Sequence, residues 1–518
     1  MKPTTRFALN ATTGWLNVVV AGAASFWIVA FLVDQMPRER YGVIVLMTWL
    51  VGMLLMVDAG IRTAMGRQLA EHIAAGNLSR INELVTSVLA GFSVAAIVAE
   101  AVVFAGAGLI VDLLKITGPD RVVAIALVRY FVVPYALMQF VTAILGALVE
   151  AEHRFDLVDA AHIAEIVSRA SLIALAVGLW QFDLHGWAGA MLISKGIGLA
   201  LTFLVAWRVV PTLRLGGGNL RRNVVDELSS LAGVTFVQQL VLKLTSQTDV
   251  PLLSSRYGPA SAAFYNPALL LVTFAQPFSA VLSRQLRPLA TAYFTSGRHD
   301  LVRELLVRGT RIGALMAVPF TVVFLAFAFP IVRFWLGEGF DATSWTLIAW
   351  AVADLVSNAM GAQWQVMLGV NRVRFLTAVQ TIAAAINIAA SVVIVFWAKA
   401  AGWPMEWAIP AIVLPTIVLS WLQRAVITMH VTRTLEVGLG HYLLHGFAAA
   451  VVVGAILAAV ACSVQLLAPA TTPVALLAEI GLTMLVWAPL AWWLGFDAHD
   501  RRRALEAVAA LRKRFGSA

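Results

Sequence analysis

The stretch VQQLVLKLTSQTDVPLL, residues 237–253, carries Gln239, Lys243, Gln247 and Asp249 within a segment otherwise suited to hydrocarbon. Residues four apart on a helix share a face, so Gln239, Lys243 and Gln247 form one polar stripe with a cation at its centre. Asp249, six residues beyond Lys243, points roughly 120° away. A stripe of this kind is costly against lipid and belongs against a cavity or another helix. Hydrogen-bond glue between helices is the plainer reading; binding of a ligand is the sharper one.

Other ionisable groups fall in mid-span: Arg129, Arg169 and Lys195 are basic, and Asp58, Glu100, Glu165 and Asp354 are acidic. Each costs about 2.5–3.5 kcal/mol on insertion scales and is normally turned toward a bundle interior or a wet cavity. Glu165 and Arg169 are four apart and should neutralise each other. Arg129 and Lys195 have no acid three or four positions away in either direction. Each therefore needs a partner on another helix, with Asp58 and Glu100 as candidates, or a ligand. The cations Arg129, Arg169, Lys195 and Lys243, with the amides of Gln239 and Gln247, sketch a positive pocket for an anion such as phosphate or pyrophosphate. Asp58, Glu100, Asp249 and Asp354 are candidates for coupling to H+ or Na+. Two further polar groups, Asn10, Thr13 and Asn17 in the first span and Asn358, Gln363 and Gln365 after Asp354, fit either sugar hydroxyls or helix packing. No nucleotide-binding, zinc-protease or nucleophile-elbow motif is present. No cofactor or metal is expected, and transport would draw on an ion gradient.

The elements that must hold these groups are membrane helices. The 518 residues are 60% hydrophobic and 13% charged, with a mean hydropathy of +0.85, against about 25% charge in soluble domains. Apolar runs of about 20 residues, the length of a spanning helix, recur through the chain. Fourteen spans are predicted, near 12–33, 42–61, 84–111, 122–148, 157–179, 187–207, 230–253, 260–283, 312–333, 343–367, 375–397, 407–427, 442–462 and 473–495. A membrane β-barrel is excluded by the length of these runs. The single cysteine, Cys462, lies in an apolar run, which excludes a disulfide framework. The net charge of +9 resides in short loops, a topology signal rather than a sign of nucleic acid. Lys and Arg concentrate on the side of the N-terminus, for example in Arg221-Arg222 and the tail RRRALEAVAALRKRFGSA, while loops 180–186, 334–342 and 463–472 are read as outside and hold no Lys or Arg. The positive-inside rule then places both termini in the cytoplasm, and the tail is either solvated or laid on the anionic inner leaflet.

A weak repeat runs through the chain. RERYG at 38–42 is echoed by SSRYG at 254–258, GNLSRINEL from Gly76 by GRHDLVREL from Gly297, and Arg154-Phe155 by Arg374-Phe375. The three pairs occur in the same order, and their offsets agree closely, each crossing six spans. An even number of spans gives two copies inserted in the same orientation and related by an axis along the membrane normal. The predicted fold is an all-α polytopic protein of two six-helix lobes. Its divisions are 1–222 for the first lobe, 223–435 for the second, 436–497 for a two-helix appendage and 498–518 for the basic tail.

On these features the chain resembles the polysaccharide transporter family of the MOP superfamily, the Wzx-type flippases. The resemblance rests on the 6+6+2 spans and on RERYGVIVLMTWLVGMLLMVDAGIRTAMGRQLA, in which Tyr41-Gly42 opens the second span and Asp58-Ala59-Gly60 leads into an arginine-bearing loop. Asp249, Arg256-Tyr257-Gly258 and Tyr265 look like the matching signature in the second lobe. The resemblance implies a MATE-like fold in the bacterial inner membrane. It also implies a flippase that moves an undecaprenyl-pyrophosphate-linked oligosaccharide, such as an O-antigen or exopolysaccharide repeat unit, to the periplasmic leaflet. The polyprenyl tail would stay in lipid, with spans 13 and 14 as its groove. The protein would work as a monomer beside polysaccharide polymerase or ligase partners, without nucleic acid. A MATE-like exporter of organic cations is the alternative; it calls for an acid-dominated cavity, which Arg129, Lys195 and Lys243 oppose. A glycan polymerase or ligase would need substantial charged outer loops, and here they are short and nearly uncharged.

Overall fold

The computed structural model describes residues 3–55, 65, 66, 68, 69, 71–73, 75–211, 213, 216, 247–497, 501, 502 and 506. Among these residues the chain is helical, and ten helices are long and apolar enough to cross a membrane. Gln239, Lys243 and Asp58 lie outside the described residues, as do most of the predicted seventh span and the end of the second. Chain contacts divide the molecule into two compact units, Met1–Ala263 and Phe264–Ala518.

The first unit holds α1 (Pro3–Gln35), α2 (Arg38–Leu54), α3 (Leu78–Ala105), α4 (Ala107–Leu113), α5 (Pro119–Leu127), α6 (Val133–Ala151), α7 (Phe155–Ile173), α8 (Asp183–Val209) and α9 (Asp249–Tyr257). Between α5 and α6 the helix widens into a π turn, Val128–Val132. Pro134 follows directly and has no N–H to continue the ladder, which gives the local cause of the bulge. A core of Met65, Leu69, Ile81, Leu84, Val85, Phe140, Ile144 and Leu148 joins α3 to α6. Within this unit α9 packs on α2. Ser254 Oγ also donates to the Leu114 carbonyl at 2.7 Å, and Trp49 Nε1 donates to the Gln247 carbonyl at 2.7 Å.

The second unit holds all but the first four residues of α10 (Ala260–Thr295), then α11 (His299–Ala326), α12 (Ala328–Leu336), α13 (Asp341–Ala359) and α14 (Gly361–Gly369). It continues with α15 (Val373–Ala400), α16 (Met405–Ala411), α17 (Leu414–Thr434), α18 (Leu439–Leu467) and α19 (Pro473–Leu490). The predicted tenth span is not one helix: it breaks at Met360 into α13 and α14. Helix α18 lies along α11, sharing a core of Leu315, Val318, Val322, Val453, Leu457 and Ala461. Arg311 bonds Asp497 at 2.9 Å and Arg303 bonds Glu436 at 2.5 Å, so the last two spans are tied to α11 by charge as well as by packing.

The repeat is visible in the backbone, with corrected registers. Gly76 and Gly297 both have positive φ, +65° and +73°, and each is followed by one N-cap residue and a long helix, α3 or α11. That pair therefore keeps the register read from the sequence. His153 and Asn371 share φ near +60°, and Arg154 and Arg372 are the N-caps that follow. The equivalent of Arg154 is thus Arg372 and not Arg374. Tyr41-Gly42 lies inside α2, whereas Tyr257 ends α9 and Gly258 sits in a turn at φ +82°. These two segments differ in backbone setting, whereas Pro37 and Pro259 share one in that each immediately precedes a helix.

Candidate functional site

The buried charges of the first unit converge where α7 meets α8. Glu165, 3% exposed, accepts from Arg169 Nη2 on Oε1 at 2.6 Å and from Lys195 Nζ on Oε2 at 2.9 Å. The partner that Lys195 requires is therefore Glu165 on the neighbouring helix. A glycine is needed one turn along α8: a β-carbon on Gly198 would overlap the Glu165 carboxylate. Tyr135 closes the group, with its ring centroid 6.0 Å from Lys195 Nζ and its hydroxyl 3.5 Å from Arg169 Nη2. Two cations share one anion, so the cluster carries a net positive charge. Lys195 is 2% exposed. Arg169 is partly exposed, and its Nε has no hydrogen-bond partner among the described residues.

From Glu165 the polar residues His162, Asp159 and Asp156 follow along α7 at intervals of three, turning about 60° round the helix at each step. Helix α1 meets it with Asn10, Thr13 and Asn17. Asn10 Nδ2 donates to the His153 carbonyl at 3.1 Å and Asn10 Oδ1 accepts from Asp156 N at 3.0 Å. Asn17 Nδ2 donates to Asp159 Oδ1 at 2.9 Å, and Thr13 Oγ1 to Asp159 Oδ2 at 3.4 Å. Of the two readings open for this stripe, the geometry selects helix packing.

Arg129 is not brought to this cluster. It stands in the π turn, its Nε donating to the Phe104 carbonyl at 3.2 Å and its guanidinium 5.2 Å from the Phe104 ring centroid. It thus caps the end of α3. Glu100 is buried, and its Oε2 lacks a partner among the described residues. Beside it is a cavity of ≈ 20 Å³ lined by Leu54, Ala96, Ala136 and Phe140. That space admits about one water. Asp249, 1% exposed, opens α9, where a carboxylate meets the positive end of the helix dipole. Gln247 is half-buried against α2, its amide oxygen near Gly52.

In the second unit Asp354 Oδ2 accepts from Gln276 Nε2 at 3.0 Å, with Asn358 as a further hydrogen-bond partner. The cation in electrostatic reach is Arg424 on α17. Sequence reasoning passes over Arg424 because it lies three residues from the expected end of the 407–427 span, where a long side chain can snorkel. Its signal is the absence of any acid within four residues. One turn on, a buried knot joins four helices: Gln363 Nε2 donates to Thr428 Oγ1 and Tyr442 Oη, both at 2.7 Å, and Tyr442 Oη lies 2.8 Å from Thr310 Oγ1. Gln363 is thereby a packing residue.

The model of the MurJ lipid II flippase family matches residues 55–481. Among solved structures, a lipid II flippase MurJ in an inward closed conformation aligns with a TM-score of 0.68 at 13% identity, covering 93% of this chain and 98% of that one. An inward-facing MATE multidrug resistance transporter of the MOP superfamily aligns at 0.65 and 11% identity, covering 84% and 99%. A Vibrio cholerae MATE transporter aligns at 0.51 and 17%, covering 83% and 98%. At these identities the structures speak for the fold, which is MATE-like. No curated relative matches. The family matched here is not the polysaccharide transporter family that the sequence resembles. This multi-pass membrane protein belongs to the MurJ lipid II flippase family, a family of transporters and not of enzymes.

Proposed function

We propose that this chain moves a polyprenyl-pyrophosphate-linked precursor of the lipid II class from the cytoplasmic to the periplasmic leaflet of a bacterial inner membrane, by alternating access of two lobes and with both termini cytoplasmic. The family match over residues 55–481 carries this reading. The buried group of Glu165, Arg169 and Lys195 supports it, because a net positive charge held within the membrane is what a pyrophosphate requires in transit. Lys243 belongs to the same proposal as a further cation, and Glu100, Asp249 and Asp354 as coupling sites for H+ or Na+. The undecaprenyl-linked oligosaccharide of polysaccharide synthesis shares the pyrophosphate and the tail, and differs in the sugars.

The test uses the purified chain in proteoliposomes with fluorescent lipid II, a fluorescent undecaprenyl-pyrophosphate oligosaccharide or a labelled organic cation in parallel vesicles. A membrane-impermeant quencher reads the leaflet of each lipid. Lipid II should equilibrate between leaflets faster than in empty vesicles, and a Lys195→Gln variant should lose that gain. Movement of the oligosaccharide alone would shift the substrate to the polysaccharide class. Movement of the cation alone would replace the flippase reading with a MATE-like exporter.

A further inference from the structure

Two loops that the charge pattern reads as outside, 334–342 and 463–472, line one cavity of ≈ 830 Å³ in the second unit. Helix α12 supplies Phe329 and Arg333, the turn after it Glu338, the first turn of α13 Asp341 and Ser344, and the last turn of α18 Gln465. Glu338 stands between Gly337 and Gly339, at φ +88° and +81°, a left-handed backbone that glycine enters without penalty. The turn holds its carboxylate out in solvent, 80% exposed, with Arg333 Nη2 at 2.6 Å and that side chain 68% exposed. An ion pair this wet is weakly held, so a ligand can compete for either partner. Gln465 carries the one amide in the apolar run GAILAAVACSVQLL, 454–467. Its neighbours Leu466 and Leu467 are 84% and 86% exposed, whereas Gln465 is half-buried and faces the cavity. An amide turned to lipid is costly; turned into the cavity it can both donate and accept.

The chemistry of the walls selects a ligand class. Phe329 meets Trp345 edge-on, with centroids 5.2 Å apart, and with Pro330 and Pro469 it gives the cavity an apolar side. The charged lining is one guanidinium against two carboxylates. A dense anion would meet those carboxylates, and a wholly apolar ligand would desolvate them without a bond in return. A neutral polyhydroxyl ligand suits both sides. Each hydroxyl donates and accepts, which matches carboxylates, an amide and a serine, while the C–H face of a sugar ring lies against an aromatic or proline wall. The volume falls within the range of small-molecule sites and admits a short oligosaccharide.

We infer that this cavity is a saccharide-binding site on the outer face of the second unit, where it receives the sugars of a precursor that has crossed. The natural ligand rests on the flippase reading; the site is tested by binding alone. The full chain in phosphatidylcholine nanodiscs is titrated with N,N′-diacetylchitobiose and followed by ligand-detected NMR, with spermidine and inorganic phosphate as competitors. The disaccharide should give a saturable signal at about millimolar concentration, as a small neutral ligand does. Gln465→Leu should weaken it about fivefold, the loss of one net hydrogen bond. Thr471→Trp, in the exposed turn at the cavity's edge, should block it, so the idea stays testable if Gln465→Leu fails to fold. Absence of a saturable signal, or a signal unchanged in both variants, overturns the proposal. So does displacement of the sugar by equimolar spermidine or phosphate, which would make this a site for ions. If the disaccharide binds as described while no precursor crosses the bilayer, the flippase reading fails and the site stands; if precursor crosses and no saccharide binds here, the reverse holds.

Discussion

At the residue scale, the first unit's cluster separates two effects that a single charge deletion usually confounds. Glu165 serves two cations, so Glu165→Gln leaves Arg169 and Lys195 facing each other without a counter-charge. Breaking a buried pair in this way costs about 3–5 kcal/mol. Lys195→Gln removes one cation and leaves Glu165 on Arg169, so its cost should be smaller. We expect Glu165→Gln to lower the melting temperature in detergent more than Lys195→Gln does, while Lys195→Gln falls further in precursor movement than in stability. The opposite order of melting temperatures would mean that the cluster is not charge-limited. Arg129 gives a contrasting prediction: its guanidinium is occupied by the Phe104 carbonyl and ring. Arg129→Gln should therefore retain precursor movement within about twofold, costing only a net hydrogen bond of about 1 kcal/mol in stability. Sequence spacing reveals the Glu165–Arg169 pair because it is local to one helix. Lys195 is 30 positions from Glu165, and nothing in a linear pattern selects that carboxylate over Asp58 or Glu100. Only the packing of α7 on α8 does.

At the element scale, one close approach and one hydrogen-bonded knot control how helices seat. A β-carbon on Gly42 would overlap the Pro259 carbonyl and crowd the Ala260 amide that opens α10. Backbone, unlike a long side chain, cannot swing aside, so Gly42→Ala should cost about 1–3 kcal/mol as overpacking, read as a lowered melting temperature. Gly52→Ala, whose nearest neighbour is the Gln247 amide at an ordinary 3.5 Å, is the matched control and should cost less. In the other unit, Tyr442→Phe removes a group that binds Gln363 and Thr310. The stranded polar atoms should cost about 1–3 kcal/mol, and a Tyr442→Phe protein as stable as the wild type would show that the knot is not needed to hold α18 on α11. Helix existence is legible from hydropathy here, because twenty apolar residues admit few other fates in a bilayer. The break of the tenth span at Met360 is not legible: no proline marks it, and Gly361 with the amides Asn358, Gln363 and Gln365 around it fits an unbroken polar-faced helix equally well. The repeat is legible in its period and imprecise in its register, since Arg-Tyr-Gly recurs by sequence in two different backbone settings while Pro37 and Pro259 share one.

At the scale of the whole molecule, direction is the property that matters, and it follows from topology. The bias of Lys and Arg between loops makes a definite assignment of sidedness. The turn at Ser296–Gly297, between α10 and α11, should be cytoplasmic, and the turn at Pro469–Thr471, between α18 and α19, should be periplasmic. The sequence supplies a convenient background for the measurement, because Cys462 is its only cysteine. In a Cys462→Ala chain, Thr471→Cys should react with a membrane-impermeant maleimide added to cells whose inner membrane is intact. Ser296→Cys should react only after that membrane is opened. Both are exposed positions between helices, so reactivity reports sidedness rather than burial. On the fourteen-span reading of the sequence, the ninth to the thirteenth spans lie between the two sites, an odd number of crossings, so the two sites are expected on opposite sides. If both cysteines label from the same side, that parity fails, the spans of this stretch are miscounted, and the parallel two-lobe arrangement built on six-span repeats fails with them.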